Sequence, residues 1–364
     1  MNRRTALGPV SRRAVLSAAA AAIASAQQPR SEVRLPRKVR IAIIGFDGHP
    51  GEITGVLSRL PDVEVAAISD KPAAMARAAR NPRLAGAKQF TDYERMLDGE
   101  KVDVVAVCNN NGERAGAVIA SAKRGLNVIA EKPLAIVTSD LERVKQAVSA
   151  SRIQLGMLLP MRYSPSYLAL KQIVDSGELG EIALISAQKS YKAGSRPEWM
   201  LRPETYGGTI PWIGIHMVDL MRWTSGREFT ATASFQGIVG SPGNKAMENT
   251  TASIFQLDNG GTATLRMDYF RPESAPTHGD DRLRLAGTKG VAEYMGATGV
   301  TVVTDKAKSR VISDLPPGGS VFIDYLLAVY AGKEPTLTLK DIYRTNEIVL
   351  AARDAADQRT ILKL

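Results

Sequence analysis

From residue 38 to 158, strand-like and helix-like segments alternate at short spacing, and no other feature of this 364-residue chain constrains its fold as strongly. Val39–Ile44, Val63–Ser69, a short stretch near Gln89, Val102–Val107, Leu126–Ala130 and Gln154–Leu158 read as strands, and Val39–Ile44, Val63–Ser69 and Val102–Val107 are apolar, β-branched runs of the kind that are buried. Helical segments lie between them: one running to about Leu60, Ala73–Arg80, one beginning at Asp92, and an alanine-rich one from about Glu113 to Arg124. Strand and helix alternating in this way build a parallel sheet with helices on its faces.

The turn after the first strand reads Gly45-Phe46-Asp47-Gly48-His49-Pro50-Gly51. Glycines let backbone approach a pyrophosphate, and a helix that follows offers free N–H groups. The spacing is G-x-x-G-x-x-G, with Asp47 where a second glycine is expected, and a carboxylate near two phosphates is unfavourable unless it is turned away. Asp70 stands at the end of the second strand, 25 residues past Gly45, where it can accept both ribose hydroxyls of a dinucleotide. The same carboxylate repels a 2′-phosphate and so favours NAD over NADP, while Lys71 beside it leaves NADP open. A second chemical feature is Leu126-Asn-Val-Ile-Ala130-Glu131-Lys132-Pro133-Leu134-Ala135. A residue before proline is kept out of the α region. Lys132 is therefore expected to be extended just past a strand end, in the crevice where ligands of such sheets bind.

Asp103-Val-Val-Ala-Val-Cys108, Asn109-Asn110-Asn111, Arg124-Gly125 and Ala130-Glu131-Lys132-Pro133-Leu134-Ala135 together resemble the Gfo/Idh/MocA oxidoreductases. The resemblance covers nearly the whole chain after its leader, and the Glu-Lys-Pro step is its most specific mark. It implies an NAD(P)-binding Rossmann-type domain (38–158) and an α+β domain (159–364) with a large, mostly antiparallel open sheet, often a dimer face. It also implies that Lys132 lies at the nicotinamide and the substrate hydroxyl, with Glu131, Asn109 and Asn111 on the cofactor side. Where the family carries Thr-Pro-Asn and then His, this chain has Asn109-Asn110-Asn111 and Arg114.

Gly207-Gly208-Thr209-Ile-Pro211-Trp212-Ile-Gly214-Ile-His216-Met-Val-Asp219 follows the family pattern G-G-x-x-x-D-x-G-x-H-x-x-D except at Trp212, where aspartate is expected. Thr209 is placed to cap a helix with Pro211 in its first turn. Residues 212, 216 and 219 then share one face. Without the carboxylate, His216 is expected to have an ordinary or lowered pKa, with Asp219 as a substitute orienter and Tyr206 as a phenolic acid or base. The resemblance implies that Arg162 and Tyr163 line the active cleft; an interdomain salt bridge is the other reading of Arg162. Trp212 offers a platform for the apolar face of a sugar ring. Later strands are read at Ile182–Tyr191, Phe229–Ile238, Thr250–Leu257, Gly261–Tyr269, Arg282–Ala286, Val291–Tyr294 and Gly299–Val303. Helices are read at Ser166–Ser176, Ser320–Ala331 and Leu339–Asp357, and His278 is read as a surface residue in a polar loop.

Residues 1–26 read as a cleavable leader: Arg3, Arg4, Arg12 and Arg13 precede a short apolar run, and Ala24-Ser25-Ala26 fits a small-residue cleavage site. Ser11-Arg12-Arg13-Ala14-Val15-Leu16 resembles a twin-arginine signal, so export to the periplasm or beyond is expected, with 27–37 as a linker. The apolar run is too short to span a bilayer and no cysteine follows it, which argues against a stable membrane anchor. Removing the leader lowers the net charge from +10 to +6, 43 basic against 37 acidic residues, spread without a nucleic-acid-binding patch. One cysteine excludes an intrachain disulfide, and three unclustered histidines argue against a metal site.

The expectation is an exported NAD(P)-dependent oxidoreductase that transfers hydride between nicotinamide and a sugar, polyol or related hydroxy compound. Lys132 and His216 handle the proton, the cofactor is tightly held and recycled, and the assembly is a homo-oligomer, dimer or tetramer. An NAD-assisted glycosidase of the same fold and a sugar-binding homologue without catalysis are the alternatives.

Overall fold

The structure, a computed structural model, describes residues 31–240 and 247–364. The leader, with its twin-arginine and cleavage features, lies outside the described residues, as does the start of the linker.

Six strands form the first sheet: β1 (Val39–Ile44), β2 (Val63–Ser69), β3 (Lys88–Phe90), β4 (Val104–Val107), β5 (Asn127–Ala130) and β6 (Leu155–Met157). All pair in parallel in the order β3-β2-β1-β4-β5-β6. Alternation along β1 divides its side chains: Ile41 and Ile43 enter one core, Ala42 and Ile44 the other. The chain order reverses between β1 and β4, and that crevice is where ligands of open parallel sheets bind. Helices Asn111–Lys123 and Thr138–Ser151 cover one face. Asp92 caps the helix Tyr93–Gly99 by accepting from Glu94 N and Arg95 N. The helix expected to run to Leu60 is broken: four α-helical residues, Gly51–Thr54, give way to a 3-10 turn, Leu57–Arg59.

The second sheet has nine strands: β7 (Ile182–Tyr191), β8 (Phe229–Gly237), β9 (Thr250–Leu257), β10 (Thr262–Asp268), β11 (Gly279–Gly287), β12 (Gly290–Met295), β13 (Gly299–Thr304), β14 (Arg310–Val311) and β15 (Leu362–Lys363). Their order is β14-β13-β12-β11-β7-β10-β9-β8-β15, and only β7 and β10 run parallel. Sequence reading missed β14 and β15, two-residue edge strands too short to show a period. One face, carrying Ile185, Leu265, Met267, Leu283 and Leu285, is buried in the large core, whereas Phe235 and Ile254 on the other side are 72% and 55% exposed.

Helix Val321–Ala331 lies far along the chain, yet it packs on the first sheet. Its Val321, Phe322, Ile323, Tyr325 and Leu326 are buried with Ile41, Ile43 and Ile129, at about 1.5–3 kcal/mol per large apolar side chain. A Cβ at Gly156 would stand 2.5 Å from the Tyr325 ring, so a bare strand surface there is what lets the helix seat. Among the described residues no helix is long and apolar enough to cross a membrane.

Candidate active site

Gly45 follows β1 with φ +78°, and a Cβ there would lie 2.5 Å from the Asn109 backbone, so only glycine lets the loops after β1 and β4 meet at the sheet's reversal point. Gly48 also has positive φ (+73°), but its close neighbour is the Glu131 carboxyl carbon, 2.7 Å from where a Cβ would stand. This glycine therefore makes room for a carboxylate. Gly51 has ordinary φ, and a Cβ there would meet nothing within 4 Å, so the third glycine of the expected pattern makes no close approach.

A cleft of about 480 Å³ opens here, bordered by Gly45, Phe46, Asp47, Asp70, Lys71 and Asn109, with Trp199 and Arg202 on the opposite wall. Asp70 accepts from Phe46 N (3.0 Å) and Lys71 N (2.6 Å), which fixes its carboxylate at the rim. Asn109 Oδ1 is buried without a hydrogen-bond partner, an acceptor that suits a bound polar group. The cradle at Gly45, the rim carboxylate and that free oxygen fit a dinucleotide. Asp47 does not turn out to solvent: it accepts from Trp199 Nε1 at 3.0 Å across the cleft, and burial pushes its carboxyl pKa up.

Asn111 is occupied elsewhere. Its Nδ2 donates to Tyr206 O (2.7 Å), and its Oδ1 accepts from Arg114 Nη1 (2.9 Å). Arg114 is fully buried and also donates to Pro133 O (2.7 Å) and Asn109 O, tying the loop after β4 to the Lys-Pro step. Burial lowers its pKa, opposed chiefly by Glu131. The departure from histidine at this position thus builds a structural hub.

Lys132 lies just beyond β5 and is 1% exposed. Its Nζ donates to Trp212 O at 2.6 Å and stands 3.1 Å from the Trp212 ring centroid. Burial holds its pKa well below the ordinary lysine value, partly offset by Glu131. Glu131 is fully buried and accepts from His49 N, His49 Nδ1 (2.7 Å) and Lys132 N (2.8 Å). Burial alone would raise its pKa, but His49, Lys132 and Arg114 together hold it at about 2. His216 is buried, its Nδ1 lacks a partner, and burial with the nearby Lys132 and Lys189 pushes its pKa well below 6.5.

Trp212 falls in a π-helical turn, Ile210–Gly214, that runs into helix Ile215–Ser225. Thr209 does not cap it: its hydroxyl donates to Glu248 O (2.6 Å), and its own backbone is helical. The turn also divides the expected shared face. Trp212 and His216 look toward Lys132, whereas Asp219 pairs with Arg162 through two bonds of 2.6 and 2.8 Å.

Four expected site residues are therefore committed to structure. Arg162, 1% exposed, also reaches Asp341 (3.1 Å) and Thr336 O, so it does form a buried salt bridge, but within the second domain and not between the two domains. Asp219 orients Arg162 and not His216. Tyr163 OH donates to Asp324 (2.8 Å) of helix Val321–Ala331. Tyr206 OH bonds Thr209 and Tyr269 (3.0 and 3.2 Å), and burial drives its pKa well above 10.

Sequence reading missed three contributors. His49 stacks with Trp212 (ring centroids 6.2 Å apart) and meets His216 edge-on (5.6 Å). Trp199 meets Trp212 edge-on at 5.3 Å. Lys189 is fully buried, with Nζ 2.8 Å from Asp281. Its signal was present: Ile185, Ala187 and Lys189 alternate on the buried face of β7, where a lysine needs a reason. His278 is exposed, as read, with its ring on Tyr191. Among the described residues no cluster of three or more His, Cys, Asp or Glu could hold a metal ion.

A parallel nucleotide-binding sheet joined to an open sheet, with a buried lysine and histidine between them, defines the two-domain dehydrogenase class. Residues 39–157 match the family model described as oxidoreductase family, NAD-binding Rossmann fold, and residues 167–293 match the GFO/IDH/MocA C-terminal domain. The chain belongs to the Gfo/Idh/MocA oxidoreductase family, and its first domain is the family's NAD-binding Rossmann domain. It is 31% identical over 194 residues to an inositol 2-dehydrogenase of Salmonella paratyphi B, a match over 52% of this chain and 54% of that one. The chain thus spans about half the length of this curated relative. A solved Thermotoga maritima protein assigned as an oxidoreductase superposes with TM-score 0.85 at 30% identity, over 90% of this chain and all of that one. An aldose-aldose oxidoreductase of Caulobacter crescentus shares the fold, with TM-score 0.76 at 21% identity over 90% of this chain and 100% of that one.

Proposed function

We propose that this protein is an exported NAD-dependent oxidoreductase that moves hydride between nicotinamide and the carbinol carbon of a sugar or polyol, keeping its dinucleotide bound between turnovers. The observation that carries the reading is Lys132, buried past the end of β5 with a lowered pKa and with His216 beside it. Burial biases both groups toward their neutral, proton-accepting forms, which is what a base needs near neutral pH. The family and the relatives' names, inositol 2-dehydrogenase and aldose-aldose oxidoreductase, support a polyhydroxy substrate.

Gly45, Phe46, Asp70 and Asn109 would hold the dinucleotide, which when bound supplies the hydride acceptor or donor. Lys132 and His216 take the hydroxyl proton as the carbon–hydrogen bond breaks. The Trp212 ring face and carbonyl stabilise Lys132 while it carries that proton. The Trp199–Asp47 bond joins the two domains across the cleft and supports slow cofactor release. Ser11–Leu16 supports twin-arginine export, a route for folded proteins that suits a cofactor loaded before export. The exposed apolar side chains Phe235 and Ile254 support a homo-oligomer through the second sheet.

The test is to purify the exported protein without added nucleotide, denature it and identify released dinucleotide by mass. Stoichiometric NAD is expected. An empty protein that also fails to bind added NAD or NADH would overturn the proposal.

A further inference from the structure

We propose that His49, held by Glu131, relays the substrate's proton from His216 to solvent. The inference rests on the oxidoreductase reading above. The pattern's carboxylate at position 212 is absent, yet a carboxylate–histidine pair still stands at the catalytic lysine, built from a different part of the chain. Glu131 is the residue before Lys132, and its Oε1 meets His49 Nδ1 at 2.7 Å. An ionised carboxylate there fixes the Nδ1–H tautomer, leaves Nε2 as the accepting nitrogen and stabilises the imidazolium that forms when Nε2 takes a proton. Glu131 remains ionised throughout the neutral range, since its pKa is held at about 2.

Placement supplies the rest of the argument. Lys132 is 1% exposed and His216 5%, so neither discharges a proton directly to water. The His49 side chain is 38% exposed while its ring meets His216 edge-on, with centroids 5.6 Å apart. A small ring rotation or one water spans such a gap. The ionisable groups facing His49 are Glu131 from the end of β5, Glu52 from the short helix after the loop, and His216 from its own helix, with Lys132 and Lys189 behind His216. In the oxidation direction, NAD held by the first domain would accept the carbon–hydrogen electron pair as hydride. The hydroxyl proton passes by way of Lys132 and His216 to His49 Nε2, then to water. The sum is alcohol plus NAD⁺ giving carbonyl, NADH and one proton.

The variant H49N separates relay from scaffold. The asparagine amide can still donate to Glu131 from the Nδ1 position, but nothing replaces Nε2. A relay predicts kcat at least about 10-fold lower, with little change in KM or in NADH affinity, a larger solvent deuterium isotope effect, and recovery by added imidazole. Full activity in H49N, with an unchanged pH profile and isotope effect, would overturn it. A second readout needs no turnover: with only three histidines in the chain, ¹⁵N spectra of the full-length protein report each tautomer. His49 is expected in the Nδ1–H form, with that preference lost in E131M, which leaves no acceptor at that position. A His49 tautomer indifferent to E131M would overturn the dyad. A wild type inactive toward every polyol and sugar, with the tautomer locked as expected, would retire the oxidoreductase reading and the relay with it, leaving only the His49–Glu131 dyad.

Discussion

Lys132 Nζ stands 3.1 Å from the centroid of the Trp212 ring while donating to the Trp212 carbonyl oxygen at 2.6 Å. The residue that replaces the family's aspartate therefore still holds the lysine, with a π face and a backbone dipole in place of a charge. Such a ring contributes about 2 kcal/mol to a desolvated cation, less than a full anion in the same place. Burial consequently dominates, and the Lys132 pKa falls well below its ordinary value despite Glu131 nearby.

Restoring the carboxylate reverses that balance. In W212D an anion beside Lys132 and His216 favours their charged forms, so their pKa values rise. The acidic limb of the kcat/KM profile is expected to move to higher pH by about 1–3 units. A limb that stays in place would mean that these two groups do not set the protonation required for turnover.

Removing one partner of the Arg162–Asp219 pair leaves a buried charge uncompensated. Arg162→Met is expected to destabilise the protein by about 3–5 kcal/mol, read by urea unfolding, with NADH affinity unchanged. A stable variant whose only defect is a raised substrate KM would return Arg162 to the substrate site.

Gly48→Ala and Gly51→Ala should differ although both lie in one loop. A methyl at 48 meets the Glu131 carboxyl carbon at 2.7 Å with φ at +73°, displacing the carboxylate and weakening dinucleotide binding by about 10-fold or more. At 51 it meets nothing within 4 Å and sits in a helical residue, so affinity holds and stability rises by up to about 1 kcal/mol. Fluorescence titration with NADH, following Trp199 in the cleft, measures both. Equal affinities would remove Glu131 from the loop's architecture.

Acid should unfold the protein in two stages. The folded-state pKa of His216 lies well below 6.5, so below that pH the unfolded chain binds a proton the native state refuses, and stability falls. Glu131 is depressed from 4.5 to about 2, so its contribution of a few kcal/mol is complete above pH 4.5 and is lost as pH drops toward about 2. Tm against pH should lose its upper stage in H216Q and its lower stage in E131Q. Unchanged curves in both variants would contradict these assignments.

Local pattern made most of the architecture legible. Val39–Ile44, Val63–Ser69, Ile182–Tyr191 and Thr250–Leu257 form strands over the residues read, because runs and alternations of apolar side chains state their own burial. The Glu-Lys-Pro step likewise placed Lys132 at a strand end. The break after Thr54 was less legible, since the Gly51 and Gly55 that weaken this helix also fit a phosphate loop.

The sequence by itself determined the order of strands and helices, the parallel and antiparallel halves, the family, and the lysine and histidine at the centre. Tertiary structure decided which polar groups face one another. Arg162 reaches Asp219 across 57 residues, His49 reaches Glu131 across 82, and Tyr163 reaches Asp324 across 161. No periodicity encodes such pairings: each buried charge takes whichever partner the packed backbone brings within about 3 Å, and leaving it unpaired costs several kcal/mol. The same physics gave Arg162, Tyr163 and Asp219 partners of their own and brought His49 to Glu131, Trp212 and His216.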